Sequence, residues 1–188
     1  DDKVKTPEQL FDLYLKSVGR GSSFLLNVPP DRRGLIHPND SAALAGFKKY
    51  RDESFDDNLF KNIGVRYTNP AGELVTIHFD NGFNKDYIIT GGDKNIITID
   101  PGREETINCI LLKEYIALGQ SIKQFKCLLK KEGETVKTIN GTTIGHKRLL
   151  TFDATAVTSV DIVIEDTKGN ALISGIAAYR IPDQLVEK

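Results

Sequence analysis

Methionine and tryptophan are both absent from the 188 residues. Without an initiator methionine, the chain is expected to start at a processing site or inside a longer protein. Without tryptophan, it lacks the broadest ring surface on which a sugar could stack. Cysteine is scarce, with only Cys109 and Cys127, and they form neither a CxxC pair nor a metal-binding spacing. Each alternates with apolar neighbours, Ile107 and Leu111 for the first, Phe125 and Leu129 for the second. Both are therefore expected to be buried reduced thiols, and a disulfide stays open only if their two strands are adjacent. Excess charge is missing too: 25 basic residues against 26 acidic ones leave a net charge of -1. That balance gives no electrostatic basis for binding nucleic acid or an anionic membrane. No apolar run approaches the length of a membrane span, and the opening DDKVKTPEQ has no signal-peptide pattern.

What remains is ordinary for a globular protein, 39% apolar and 27% charged, and long enough to bury a core without staples. Thr6-Pro7-Glu8-Gln9 reads as a helix start, with Thr6 as cap, Pro7 in the first turn and Gln9 placed for a capping box. Leu10, Leu13, Tyr14 and Val18 recur at helical spacing until Gly19 and Gly21 stop them, which predicts a helix over 7–18. Phe24–Val28 (FLLNV) is a continuous apolar run, the pattern of a strand buried on both faces in a parallel sheet. Pro29 and Pro30 end it, Asp31–Gly34 turns, and Asn39 or Asp40 caps a helix reaching Ser54. Helix, strand, helix is a piece of an α/β unit. Alone, its strand cannot satisfy its own backbone groups.

From Asn58 the helical period gives way to short β-branched runs separated by turn residues. Ten strands are expected: Gly64–Thr68, Leu74–Phe79, Tyr87–Thr90, Ile96–Ile99, Thr106–Lys113, Ser121–Lys130, Thr135–Gly141, His146–Phe152, Ser159–Glu165 and Ala171–Arg180. Turn signals such as Asn69-Pro70-Ala71-Gly72, Asn81-Gly82, Gly91-Gly92 and Lys168-Gly169-Asn170 punctuate them. The pattern is that of a β-sandwich. The composition shift divides the chain into residues 1–56 and 57–188.

TPEQLFDLYLKSVGRGSSFLLNVPPDRRGLIHPND resembles the end of the catalytic barrel in α-L-fucosidases of glycoside hydrolase family 29. IDPGREETINCILLKEYIALGQSIKQFKCLL, TTIGHKRLL and VDIVIEDTKGNALISGIAAYRIP resemble the β-sandwich that follows it in bacterial members. The fold this implies is mainly β: a discoidin-like, galactose-binding-like β-sandwich (jelly roll), preceded by a helix-strand-helix remnant of a (β/α)8-type barrel. Residues 1–56 would be that remnant, with Phe24–Val28 as the last barrel strand, and 57–188 the sandwich. Family members are retaining glycosidases that use two carboxylates. The resemblance places both upstream of this stretch, so no catalytic residue is assigned here and no cofactor is expected. It implies a parent enzyme acting on fucosylated glycans, periplasmic or secreted, with the sandwich bracing the barrel. The alternative role is that of an accessory carbohydrate-binding module. Phe24–Val28 would pair with the missing barrel or with a second copy of the chain.

Three residues are candidates for binding. Asn27 would lie at the C-terminal end of the barrel strand, where such barrels do chemistry, and its competing role is to pin the Pro-Pro loop by a hydrogen bond. Tyr87 is an aromatic surface for a sugar, alongside Tyr115 and Tyr179. Arg148, next to Lys147, could hold a hydroxyl group or pair with an acid. Asp31 reads as a turn residue paired with Arg32 or Arg33. His37, His78 and His146 lack metal spacing, and no metal site is assigned. Asn39-Asp40-Ser41 and Asn140-Gly141-Thr142 have the form of glycosylation sequons.

Overall fold

The first helix begins where Thr6 places it. In this computed structural model, which describes residues 4–78, 87–90 and 95–186, Thr6 Oγ1 accepts from Gln9 N at 3.3 Å. Gln9 Oε1 in turn accepts from Thr6 N at 3.0 Å, completing the capping box. Helix α1 spans Pro7–Ser17 and runs into one 3-10 turn, Val18–Arg20, closed by Gly21 at φ 84°. Helix α2 spans Pro38–Phe55. Its cap is His37 rather than Asn39 or Asp40: His37 Nδ1 accepts from Asn39 N at 3.2 Å, and Pro38 takes the first helical position, which suits its fixed φ. The two helices approach closely at Gly46, where a Cβ would stand 2.6 Å from Pro7 Cγ.

Between the helices the expected strand is not formed. Phe24–Val28 belongs to no helix or strand and pairs with no strand among the described residues. Nor is it buried on both faces. Phe24, Leu26 and Val28 are half-buried, Asn27 is exposed, and Leu25 is 95% exposed. Phe24 meets the edge of Phe47 on α2, with ring centroids 6.1 Å apart. A strand exists only through its neighbours, and none is present to supply the ladder. The one bridge nearby, Pro30 with Ile36, closes the turn around Asp31.

All ten expected strands are present where the residues are described. They are β1 Gly64–Thr68, β2 Leu74–His78, β3 Ile88–Thr90, β4 Ile96–Ile99, β5 Glu105–Glu114, β6 Ile122–Lys131, β7 Glu134–Gly141, β8 Arg148–Val157, β9 Ser159–Thr167 and β10 Ala171–Tyr179. The expected end of β2 at Phe79 and the turns at Asn81-Gly82 and Gly91-Gly92 lie outside the described residues. Strand β8 starts two residues later than expected and runs five further, because Gly145 and His146 form a turn. The pairings are antiparallel and make two sheets, ordered β2-β1-β4-β9-β6-β7 and β3-β10-β5-β8. The core between them includes Ile97, Ile99, Ile110, Leu112, Phe125 and Ile162, all fully buried. The chain is therefore a mainly β protein built on a β-sandwich with a helical segment before it.

The helices form a third layer on the outer face of the four-stranded sheet. Phe11 and Leu15 of α1 pack with Cys109, Leu111, Leu149, Ala177 and Tyr179. Phe55 of α2 meets Tyr179 edge-on at 5.2 Å and Phe11 at 6.0 Å. The four-stranded sheet is thus apolar on both faces, which explains the near-continuous burial along β5 and β10.

A register shift between Ile107 and Cys109 corrects the expected alternation of β5. Ile107 faces the interior of the sandwich, whereas Cys109 and Leu111 face the helices. At the shift sits Asn108, fully buried: its Nδ2 donates to Ile181 O and its Oδ1 accepts from Ile181 N, each at 2.7 Å. The amide thus reproduces a strand pairing where the bulge interrupts one. Cys127 points into the sandwich core from β6, a strand not adjacent to β5. Both thiols are buried and free, and the disulfide alternative falls.

Candidate functional site

The structure keeps the three candidate residues apart. Asn27 lies on a cleft of about 390 Å³ between the inter-helix segment and the helix pair, lined also by Leu10, Leu26, Val28, Ala43 and Leu44. It makes no hydrogen bond to another described residue, so it does not pin the Pro-Pro loop. Asp31 does that. Its carboxylate accepts from Arg33 N at 2.8 Å and Arg33 Nε at 3.0 Å, and its N–H donates to Leu35 O at 2.8 Å. The Arg33 guanidinium holds the Asp31 carboxyl below its ordinary value. Opposite this turn, His37 is spent as a helix cap. His78 and His146 are exposed.

Tyr87 and Tyr115 do come together. Their rings stack at 4.5 Å between centroids with an interplanar angle of 23°, and both are half-buried. Tyr87 leads into β3 and Tyr115 follows β5, whose N–H donates to Leu172 O of β10 at 2.9 Å. Tyr179, by contrast, is a core residue between β10 and Phe55.

Arg148 opens β8, at the opposite edge of the same sheet from β3. Its neighbour Lys147 is engaged with the helical layer. Lys147 Nζ donates to Tyr14 Oη at 3.1 Å and lies 5.3 Å and 5.9 Å from the centroids of Tyr14 and Phe55. Burial, aided by the Lys147 charge, pulls half-buried Lys113 down to about 8. Burial pushes the Cys109 and Cys127 thiols up, the second to about 12, and the Tyr179 phenol also to about 12.

These shifts have opposite signs for stability. Between pH 8 and the unfolded Lys value of 10.5, the unfolded chain binds more proton at Lys113, so that contribution to stability grows with pH. Above the unfolded thiol value of 9 and the unfolded phenol value of 10, the unfolded chain loses protons first, and stability falls. Urea unfolding under reducing conditions is expected to show stability rising from pH 8 to 9 and falling beyond. In Lys113→Met the rise should vanish, and a rise that persists would contradict the assignment.

One group escaped sequence reasoning. Glu114, 3% exposed at the end of β5, accepts from Ser121 N at 2.9 Å and Ile122 N at 3.0 Å through one oxygen and from Gly145 N at 2.6 Å through the other. It has no ion-pair partner among the described residues. The available signal was an acid closing an apolar strand.

Together these features define a β-sandwich with a helical cap sharing its apolar packing. No protein-family model matches the chain. Over 95% of its length the chain is 30% identical to Alpha-L-fucosidase 1 of Arabidopsis thaliana, and it spans 37% of that relative. A Ruminococcus gnavus GH29 fucosidase in complex with fucose superimposes with a TM-score of 0.80 at 26% identity, over 97% of this chain and 38% of that one. A glycoside hydrolase 29 family member from an unknown rumen bacterium gives a TM-score of 0.77 at 30% identity, over 97% of this chain and 30% of that one. The chain's homologues and structural neighbours are α-L-fucosidases of glycoside hydrolase family 29, and it matches their C-terminal region.

Proposed function

We propose that this chain is the non-catalytic C-terminal part of a retaining α-L-fucosidase, an enzyme that removes terminal α-L-fucose from glycans. In this reading residues 1–56 complete the catalytic barrel and residues 57–188 brace it. The nucleophile and the acid/base, the two carboxylates that retention requires, belong to barrel strands outside the stretch represented here. Phe24–Val28 receives its ladder partners from those strands, and Leu25, exposed here, turns towards them. Asn27 then stands at the C-terminal end of a barrel strand, on the side where sugar is processed. A periplasmic or secreted location of the whole enzyme belongs to the same reading.

The observation that carries the structural role is the apolar layer in which α1 and α2 share their core with β5, β8 and β10. Elements that share a buried core move as one body, so a barrel closed by these helices is held against the sandwich. A second reading, an accessory carbohydrate-binding module, is favoured by the stacked Tyr87–Tyr115 pair.

Calorimetric or chemical-shift titration separates the two. With fucose, galactose and fucosylated oligosaccharides up to about 10 mM, a range that still detects weak sugar sites, the bracing role predicts no saturable signal. Binding that Tyr115→Ala abolishes would replace it with the module.

A further inference from the structure

Residues 116–120, IALGQ, are all exposed and carry no charge. Ile116 is 46% exposed and Leu118 64%. Among the described residues of the sandwich, the other large apolar side chains left exposed are Leu74 and Val136. They stand singly on β2 and β7, at opposite edges of the six-stranded sheet. Single exposed apolar residues are normal on a surface, whereas a neighbouring pair within an uncharged run has the composition of an interface core.

The run is fixed at both ends. Its core is a 3-10 turn, Ile116–Leu118, in which Leu118 N donates to Tyr115 O at 3.2 Å and Gly119 N donates to Ile116 O at 3.0 Å. Before it, Tyr115 N is bonded to Leu172 O of β10. After it, Ser121 N and Ile122 N are bonded to the Glu114 carboxylate, and Ser121 Oγ donates to Asn170 O at 2.8 Å. A loop tied down in this way keeps Ile116 and Leu118 turned outward. It also adjoins the interface between helices and sandwich. A Cβ on Gly145 would stand 3.3 Å from Gln120 Oε1. One on Gly21 would stand 3.3 Å from Lys147 O, and one on Gly19 would stand 3.3 Å from the Leu149 side chain. Residues 145–149 thus form a step, touched by the loop at one end and by the turn after α1 at the other. That turn leads into Phe24–Val28.

We propose, on the strength of the function proposed above, that residues 116–120 dock against the catalytic part of the same enzyme as a second brace beside the helical layer. In that reading Phe24–Val28 enters the barrel directly after the turn, so the barrel extends past the step beside which the loop stands. Well over half of each curated relative lies outside the stretch that this chain matches, enough chain to cover the loop. An apolar patch on the barrel that buries Ile116 and Leu118 suits the uncharged run. The hydrophobic effect then holds the sandwich to the barrel independently of α1 and α2.

The test places one double substitution, Ile116→Ser with Leu118→Ser, in the 188-residue chain and in the full-length enzyme, and measures thermal unfolding of each by calorimetry. In this chain alone both side chains are exposed, so the melting temperature should move by less than about 1 °C. In the full-length enzyme it should fall by about 3–6 °C, as loss of two buried apolar side chains would cause. An unchanged melting temperature in the full-length enzyme would overturn the docking surface. An equal fall in both would also overturn it, because the pair would then act within the sandwich. So would a dimer of this chain that the double substitution converts to monomer, since a second copy would then be the occupant. Hydrolysis of an aryl α-L-fucoside by the unsubstituted full-length enzyme is measured alongside. Its absence would remove the proposed function, while the melting temperatures still decide the docking surface.

Discussion

Replacing Gly141 by valine should lower the melting temperature by roughly 6–12 °C, from overpacking worth about 3 kcal/mol in a chain of this size. Gly141 ends β7 directly opposite Phe125 of β6. The Phe125 ring, fully buried, lies over the glycine and occupies the space where any Cβ would go. The ring cannot retreat, because Cys127, Ile144 and Ile162 belong to the same packed core. A glycine in a strand is normally a weakness, but here it is what allows the two backbones and the ring to close together. Asn140→Ala, one residue away and exposed, should stay within about 0.5 kcal/mol of the parent. Thermal unfolding of both variants checks the contrast, and equal melting temperatures would remove the steric account.

Glu114→Ala should cost about 3–5 kcal/mol, because it strands three backbone N–H groups at once, two of them buried and one half-buried. Those groups come from two different loops. Ser121 precedes β6 and Ile122 starts it, while Gly145 precedes β8. One carboxylate therefore fixes where a strand from each sheet begins. Glu114→Gln tells apart loss of charge from loss of acceptors. Its amide oxygen can keep Ser121 and Ile122, while its NH2 would face the Gly145 N–H, donor against donor. An intermediate cost is expected for glutamine. Denaturant unfolding in which alanine and glutamine cost the same would show that the acceptors do not act separately.

Neither residue stood out in the sequence, and the reason is instructive. Strand positions were legible because turn residues such as Lys168-Gly169-Asn170 interrupt β-branched runs, a local signal. The α1 start was legible because the Thr6–Gln9 capping box is also local. What needed the third dimension was lost. The bulge at Asn108 reverses the face of Cys109, and only the distant backbone of Ile181 makes that bulge stable. Phe24–Val28 has the composition of a two-sided buried strand, but composition cannot provide the neighbours that make one. Of the candidate site, Tyr87 and Tyr115 were legible as aromatics but not as a stack. Arg148 was legible as a cation, while the role of Gly19 and Gly21 appears only when the turn after α1 is laid on β8.

We propose that this chain carries the frame of a fucosidase and not its chemistry. Three carboxylates that stand out are engaged structurally: Asp31 in a turn, Glu114 in a backbone clamp, Asp161 with Lys130 at 2.6 Å and with Thr98 at 2.7 Å. The most direct test is hydrolysis of an aryl α-L-fucoside by the purified 188-residue chain alone. The predicted result is a rate equal to the enzyme-free control. Turnover that scales with the concentration of this chain would contradict the claim.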